Sequence, residues 1–436
     1  MTYSPPIKTE SWGRVDKPDQ RTAFPSFRKD VVKALTDREQ DSVLSIGLRR
    51  SYGDSTLNPE GRLIDMTHLD RVMAFDTENG ILRAEAGLAL QQLLRLTVPK
   101  GWFVRTTPGT RFVTLGGAVA NDVHGKNHHK VGSFGNTVRC LGLERSDGSS
   151  LVLSENENPE LFRATIGGLG LTGAITWVEI ELEKIASAFV DVERIPFETV
   201  DAFFTLAEAS GDFEHTVAWI DASSKGRGIF QQGNWSKTGG LDPHPPKIKL
   251  SMPMDFPGFT LNKWSVRAFN EVYFRKQAAG DAKFTQHYAP FFHPLDSIGT
   301  WNRMYGQRGF YQYQCVLPPE AAKEAVRELL AQISAAGAGS FLAVLKTMGT
   351  VPSRGLLSFP REGATLALDF PNLGQETVDL MGRLDAVVSE AKGRLYPAKD
   401  GRMPAAMFQA GYPGFEAFKA YVDPAFSSAF WRRVSV

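Results

Sequence analysis

Two cysteines, Cys140 and Cys315, in 436 residues leave no material for a disulfide framework or a cysteine-rich metal site. Charge of one sign is equally scarce. Lys and Arg number 49 against 48 Asp and Glu, a formal net charge of +1, so no broad basic field is available to hold nucleic acid. Long apolar runs are missing too: none approaches the ~18 residues of a membrane-spanning helix. The N-terminal MTYSPPIKTESWGR lacks the apolar core of a secretory signal. The chain therefore reads as a soluble cytoplasmic protein. Peripheral contact at an inner-membrane surface stays open, because a protein can borrow lipid from a bilayer without spanning it. With 42% hydrophobic and 22% charged residues it is globular rather than disordered, and long enough for two or three domains.

What the chain does have is glycine, 41 of them, concentrated at Gly47 to Gly61, Gly101 to Gly135 and Gly167 to Gly173. Between the clusters lie recognisable elements. Val72–Phe75 and Ile81–Ala86 flank Asn79-Gly80, a hairpin signal. Leu90, Leu93, Leu94 and Val98 mark one helix face, and Ala174–Leu182 alternates like a strand. From about residue 187 the order becomes strand, helix, strand: VDVERI, a helix over 197–209, then HTVAWID. YQYQCVL, FLAVLK and TLALDF read as further strands. The apolar face Ala322, Ala325, Val326, Leu329, Leu330, Ile333 and the segment 374–391 read as helices. The predicted fold class is α+β: an antiparallel sheet covered by helices on one face follows a glycine-rich domain. The boundaries expected are 1–185, 186–395, and a segment 396–436 returning to the first domain. The Pro-rich stretch 237–262 is expected to be a loop or lid, with Met252, Met254, Phe256 and Phe259 as a candidate apolar groove.

Gly168-Leu-Gly170-Leu-Thr-Gly173 satisfies G-x-G-x-x-G. A dinucleotide loop should follow a strand and open a helix. Here LFRAT before it is helical in pattern and AITWVEIEL after it is strand-like, so a tight turn feeding a strand is the better reading. No Walker A sequence is present. The more informative segments are IGLRRSYGDSTLN (46–58) and PGTRFVTLGGAVANDVHGKNHHKVGSFGNTV (108–138). Small residues alternating with Ser, Thr, Asn and Asp offer backbone N–H groups and short hydroxyls suited to a pyrophosphate, without many lysines or arginines.

RSYGDSTLN, PGTRFVTLGGAVANDVHGKNHHKVGSFG and IGGLGLTGAI together resemble the PCMH-type FAD-binding domain of the vanillyl-alcohol oxidase superfamily. HGKNHH with the downstream YPAKD is similar to the subgroup of polyprenylphosphoryl-ribose 2-oxidases, and the likeness continues through FFHPLDSIGTWNRMYG, YQYQCVLP and GRLYPAKDGR. The resemblance implies FAD as cofactor. It implies oxidation of the 2-hydroxyl of a polyprenylphosphoryl-β-D-ribose to the 2-keto sugar, the first half of an epimerisation toward an arabinose donor for cell-wall arabinan. An NADH-dependent short-chain reductase would be the partner that completes it. Rivals are an oxidase of a soluble alditol or aldonolactone and a flavin-binding protein without turnover.

By that resemblance Gly47, Arg49, Arg50, Ser51, Tyr52, Gly53 and Asp54 would surround the FAD pyrophosphate. Thr110, Gly116, Gly117, Ala118, Asn121, Asp122, His124, Gly125 and Asn127 would line the rest, with Gly170, Thr172, Gly173 and Ile175 beside them. Lys399 would face the flavin, and Lys126, Gln312, Gln314 and Tyr396 the substrate. Tyr52, His124, Lys399 and Gln314 are the catalytic candidates, the first three as proton acceptors between which the sequence does not choose. Trp219 and Asn302 are weaker candidates. Arg50 stands where some relatives carry a FAD-tethering histidine, so the FAD is expected to be non-covalent. His124, His128 and His129 form no metal site in this reading, since Gly125 and Asn127 interrupt the helix that would align them. Ala367 occupies the place of a cysteine that nitroaromatic inhibitors capture in mycobacterial members, so such capture is expected to fail here.

Overall fold

The computed structural model describes residues 3–224, 226–244, 250–257 and 260–436. Phe259 and the middle of the predicted 237–262 loop lie outside them. Three sheets organise the chain. The first holds β1 (Ile7–Lys8), β2 (Asp19–Ala23), β3 (Ser42–Ile46) and β4 (Gly61–Asp65), with α1 (Arg28–Thr36) between β2 and β3. Its order is β1-β2-β4-β3, and β4 runs parallel to both neighbours.

The second sheet is built from β5 (Val72–Asp76), β6 (Ile81–Glu85), β7 (Trp102–Val104), β8 (Val138–Glu144), β9 (Ser150–Ser154) and β10 (Ala174–Lys184). Its order is β5-β6-β10-β8-β9, with β7 also on β10. Inserted among them are α2 (Leu90–Thr97), α3 (Leu115–Ala120), α4 (His128–Val131) and α5 (Pro159–Thr165). The β5–β6 hairpin closes through Thr77–Gly80, where Asp76 accepts from the Glu78 and Asn79 amides and Gly80 takes φ +70°. The G-x-G-x-x-G segment is a turn between α5 and β10. Leu169, Gly170 and Gly173 there have φ of +56°, +73° and +144°, a backbone that opens a strand and not a helix.

The third sheet follows. Its strands and helices are β11 (Phe189–Phe197), α6 (Val200–Ala209), β12 (His215–Ile220), β13 (Gly228–Trp235), β14 (Leu250–Ser251), α7 (Lys263–Ala278), β15 (Lys283–His287), α8 (Tyr288–Phe292), β16 (Ile298–Gly299), β17 (Phe310–Leu317), α9 (Pro319–Ala335), β18 (Ala343–Met348), β19 (Gly363–Pro371), α10 (Gln375–Glu390) and β20 (Arg394–Leu395). Eight of these strands pair antiparallel throughout, in the order β15-β11-β13-β12-β18-β19-β17-β20, while β14 and β16 form a separate parallel pair. Two expectations shift. The helix expected from 197 starts at Val200, because Pro196 and Phe197 still pair with β13 and Thr199 caps the helix. The loop expected over 237–262 contains β14 and leads into α7, which its mixed pattern had hidden.

Period-two alternation sets what each face of the third sheet does. Tyr313, Cys315 and Leu317 of β17, Ala343 and Leu345 of β18, and Leu366 and Leu368 of β19 point into one apolar core. The buried faces of α9 and α10, such as Val326, Leu330, Leu384 and Val388, complete that core. Gln312, Gln314, Val344, Lys346, Thr365 and Ala367 occupy the opposite face, which looks toward the glycine loops. The C-terminal α11 (Ala405–Gly411), α12 (Phe415–Lys419) and α13 (Ala429–Val434) reach both halves. Val43 bridges Phe426, and Arg433 pairs with Asp54 at 2.8 Å and Asp400 at 3.0 Å.

Candidate active site

A cavity of about 530 Å³ lies between the glycine loops and the open face of the third sheet. The loop side contributes Gly47, Arg49, Arg50, Ser51, Tyr52, Thr110, Gly116, Gly117, Asn121, His124, Gly125 and Lys126; the turn before β10 adds Gly170, Gly173 and Ile175. The sheet side contributes Gln312 and Gln314, and Tyr396 and Lys399 close one end.

Six residues assigned to the cofactor from sequence do not line this space. Gly53 packs against the backbone of Asp400, where a Cβ would come within 1.6 Å of its carbonyl oxygen. Asp54 is the partner of Arg433. Ala118 is in the core of the first half. Asp122 accepts from the Ser133 and Ser358 hydroxyls and the Gly135 amide. Asn127 donates to the Arg105 carbonyl, and Thr172 shares a hydrogen bond with Thr165. All six brace the loops rather than face the cavity. Trp219 donates to the Phe341 carbonyl and Asn302 to that of Trp12, also outside the lining. Met252, Met254 and Phe256 do not line it either.

The loop wall carries unmet hydrogen-bonding capacity. The Ser45, Ser55 and Thr56 hydroxyls lie in it buried and without a partner among the described residues. The amides of Leu48, Arg49 and Arg50 likewise have no acceptor there. Arg49 sits at φ +50°, a left-handed residue that gathers consecutive amides into an anion-binding concavity. Gly47 permits the close approach, since a Cβ would stand 2.2 Å from Thr114 Oγ1. Arg50 stacks on Trp12 at 4.2 Å and donates to the Phe112 carbonyl. Buried donors left unpaired are costly, and a diphosphate satisfies them. The residues present fit FAD.

At the sheet side, His124 is the hub. Lys346 Nζ lies 2.6 Å from His124 Nδ1 and donates to the Gly125 carbonyl at 2.8 Å. Gln314 lies 3.0 Å from His124 Nε2 and 3.2 Å from the Thr365 hydroxyl. The imidazole rests against Tyr396 and Phe359, which stack on each other at 4.4 Å, and Tyr396 donates to the Asn121 carbonyl. Burial first, then the charge of Lys346, hold His124 well below the usual histidine range, so it is neutral.

Three lysines face the cavity with aromatic faces or neutral acceptors for partners. Lys126 sits over Phe291 at 4.4 Å, Lys399 over Tyr52 at 3.9 Å, and Lys346 bonds His124 and Gly125. Burial brings each ammonium down to about 7. Tyr52, buried beside Gln312, is pushed well above the phenol range and keeps its proton. Behind Gln312, Asp369 accepts its amide at 2.6 Å and is raised by burial to about 7.

Lys346, Thr365 and Asp369 are absent from the residues singled out by sequence. The signal for Lys346 was a charged residue interrupting the apolar run FLAVLK on the face of Val344. His128 is buried with both ring nitrogens unpartnered among the described residues, while His129 bonds the Phe213 carbonyl. Neither lines the cavity.

Comparison with known proteins gives the same direction. A family model described as an FAD binding domain matches residues 20–154. A decaprenylphosphoryl-β-D-ribose oxidase of Mycolicibacterium smegmatis is 36% identical over 98% of this chain and 96% of its own. L-gulonolactone oxidase of Bos taurus is 28% identical over 40% of each chain, and a putative D-arabinono-1,4-lactone oxidase of Neurospora crassa is 24% identical over 47% of this chain and 31% of its own. The lactone oxidases thus share only part of the chain, whereas the first likeness runs from end to end. This chain is an FAD-dependent oxidoreductase and belongs to the decaprenylphosphoryl-β-D-ribose oxidase family.

Proposed function

We propose that the protein oxidises the 2-hydroxyl of a polyprenylphosphoryl-β-D-ribose to the 2-keto sugar. The observation that carries this reading is the set of three cavity lysines, none with a carboxylate at ion-pair distance among the described residues; Asp369 acts on Lys399 only through its charge from farther off. A neutral polyol gives no reason to hold three amines at the edge of ionisation, whereas a phosphodiester beside a bound diphosphate does. The reading assigns residues 1–185 to cofactor binding, 186–395 to the substrate and 396–436 to joining the two.

FAD, when bound, supplies the acceptor for the hydride leaving the carbinol carbon. The chain's own residues handle the hydroxyl proton. While Lys346 is charged it donates to Nδ1 of neutral His124, so the ring proton sits on Nε2, donated to the Gln314 amide oxygen once that amide is turned, and Nε2 has no lone pair for the hydroxyl proton. Once Lys346 is neutral it accepts from Nδ1–H, and the Nε2 lone pair turns toward Gln314 and the cavity as the proton acceptor. Gln314 and Gln312 orient the sugar, and Tyr52, which stays protonated, serves only as a hydrogen-bonding wall. Lys126 and Lys399 hold the anionic groups. The 2-keto product passes to an NADH-dependent short-chain reductase, and the lipid is drawn from a membrane surface that the protein touches peripherally.

The test is to purify the holoenzyme, confirm that acid releases its FAD, and add polyprenylphosphoryl ribose without oxygen. Bleaching of the flavin band by the lipid and not by free polyols is expected. Bleaching by alditols or aldonolactones alone would overturn the substrate, and bleaching by no alcohol would leave a flavin-binding protein without turnover.

A further inference from the structure

Apart from the C-terminal Val436, the three most exposed large apolar side chains among the described residues are Trp264, Val272 and Met254, at 67%, 67% and 66%. Two of them share one helix. Along α7, Val266, Asn270 and Phe274 face inward, and Trp264, Ala268 and Val272 recur every fourth residue on the opposite face, with half-exposed Phe269 beside them. Trp264 and Val272 are thus about 12 Å apart on one outward stripe. The helix is firmly held. Asn262 caps it by accepting from the Trp264 and Ser265 amides, and Asn270 donates to Asp221 and to the Ser340 carbonyl.

Basic side chains outnumber acidic ones on the helix. Lys263, Arg267, Arg275 and Lys276 are exposed on the helix, and the only acid, Glu271, is committed to Arg227 and Arg275. Apolar side chains with a tryptophan, rimmed by lysine and arginine, suit the headgroup layer of an anionic leaflet. The helix itself connects to the cavity wall through its flank. Phe269 packs on Phe341, the next residue Leu342 lines the cavity, and β14, just before Met254, pairs with cavity-lining Ile298 and Gly299.

We infer that the outward face of α7 docks the protein on an anionic lipid bilayer, so that a lipid-linked sugar enters the cavity without crossing water. The inference rests on the lipid substrate proposed above. It commits to a bilayer and not to a protein partner, because an exposed apolar stripe beside exposed Lys263, Arg267 and Lys276 offers charge complementarity to an anionic surface.

Co-sedimentation of the full-length holoenzyme with vesicles of phosphatidylcholine, alone or with roughly one-third phosphatidylglycerol, tests it. Wild type is expected to partition onto the anionic vesicles and to leave them as salt rises. Trp264→Ser with Val272→Ser should weaken partitioning at least tenfold, and Arg267→Gln or Lys276→Gln about fivefold each. Oxidation of a soluble, short-prenyl phosphoryl ribose should be unchanged in all of them. No partitioning by wild type, or partitioning that Trp264→Ser with Val272→Ser leaves intact, overturns the docking face. So does a dimer that the same pair dissolves, since the face would then meet a second copy. Failure of wild type to oxidise the short-prenyl substrate would instead overturn the substrate reading, and the vesicle result would still decide the docking face.

Discussion

Replacing Lys346 by methionine separates the cost of the cavity lysine from its use. Lys346 is 7% exposed, and burial takes its ammonium from 10.5 to about 7. Below pH 7 both the folded and unfolded chains carry the proton, and the folded state bears the whole cost of a buried charge. As pH rises from 7 to 10.5 the folded state releases its proton while the unfolded chain keeps it, so stability rises; above 10.5 the cost is gone. A displacement of about 3.5 units at about 1.36 kcal/mol each is about 5 kcal/mol, of which about 4 is recovered between pH 7 and pH 10. A methionine side chain in its place titrates nothing. The hydrogen bonds lost to His124 and Gly125 act on the slope only through the folded-state pKa, which already contains them, so what else they contribute is a constant offset. Unfolding entropy of about 2.1 cal/mol/K per residue over 436 residues is about 0.9 kcal/mol/K, which turns that difference into about 4 °C. Thermal melts of the cofactor-free protein should therefore show Lys346→Met losing about 4 °C relative to wild type between pH 7 and pH 10. Its kcat should fall by about 10²-fold with loss of the limb near pH 7. Lys346→Arg, which never releases its proton, should be as impaired although it keeps the charge. A melting difference that ignores pH, or an active Lys346→Arg enzyme, would refute both the buried ionisation and the His124 switch.

Gly47→Ala should retain the fold but lose FAD at least tenfold more readily. The new Cβ meets Thr114 Oγ1 at 2.2 Å, and that oxygen is held as the α3 cap by the Gly117 amide; the flavin-to-protein absorbance ratio after gel filtration measures it. Ala367→Cys should put a thiol in the cavity wall opposite Gln314 of the neighbouring strand. Mass spectrometry should then find a covalent adduct with a nitroaromatic inhibitor that wild type never forms, and substrate should protect against it.

How far the sequence reached can be judged residue by residue. The glycine loops were legible because their chemistry is local: Gly47, Arg49 and Ser51 line the cavity through backbone that short-range sequence dictates. YQYQCVL was legible as a strand with Gln312 and Gln314 on one face, since alternation survives any context. Direction was not legible. Asp54 and Asp122 sit within the same loops but turn toward Arg433 and Ser358, choices made by segments hundreds of residues away. Lys346 was hidden for a related reason. FLAVLK shows a strand ending in lysine, and only the pairing of β18 between β12 and β19 brings it to His124. The α7 segment KWSVRAFNEVYFRKQA escaped because apolar residues occupy both its faces, which erases the helical period.

A near-neutral chain that binds anions faces a conflict, and Lys126 and Lys399 resolve it through protonation, while Lys346 sets the state of His124. Paired with carboxylates, Lys126, Lys346 and Lys399 would be permanently charged but would have little positive field left for a ligand. Buried with no carboxylate at ion-pair distance among the described residues, and with Asp369 reaching only Lys399 through its charge, each loses its proton readily, near pH 7, so before a ligand arrives the cavity carries only part of its potential charge. An arriving phosphate restores the balance. An anion about 6 Å from an ammonium at an effective dielectric of ~20 stabilises the charged form by about 3 kcal/mol, about 2 pKa units. Binding at pH 8 should therefore draw protons from the buffer, approaching one per lysine that meets the anion. Calorimetry of substrate binding in two buffers of different ionisation enthalpy reads that number directly. Uptake should exceed one proton at pH 8 and vanish below about pH 6, where the lysines are already charged. Binding without proton uptake at pH 8 would mean that the lysines are charged before the ligand arrives. The cavity would then be a fixed cationic site, and the pH-controlled acceptor at His124 would lose its physical basis.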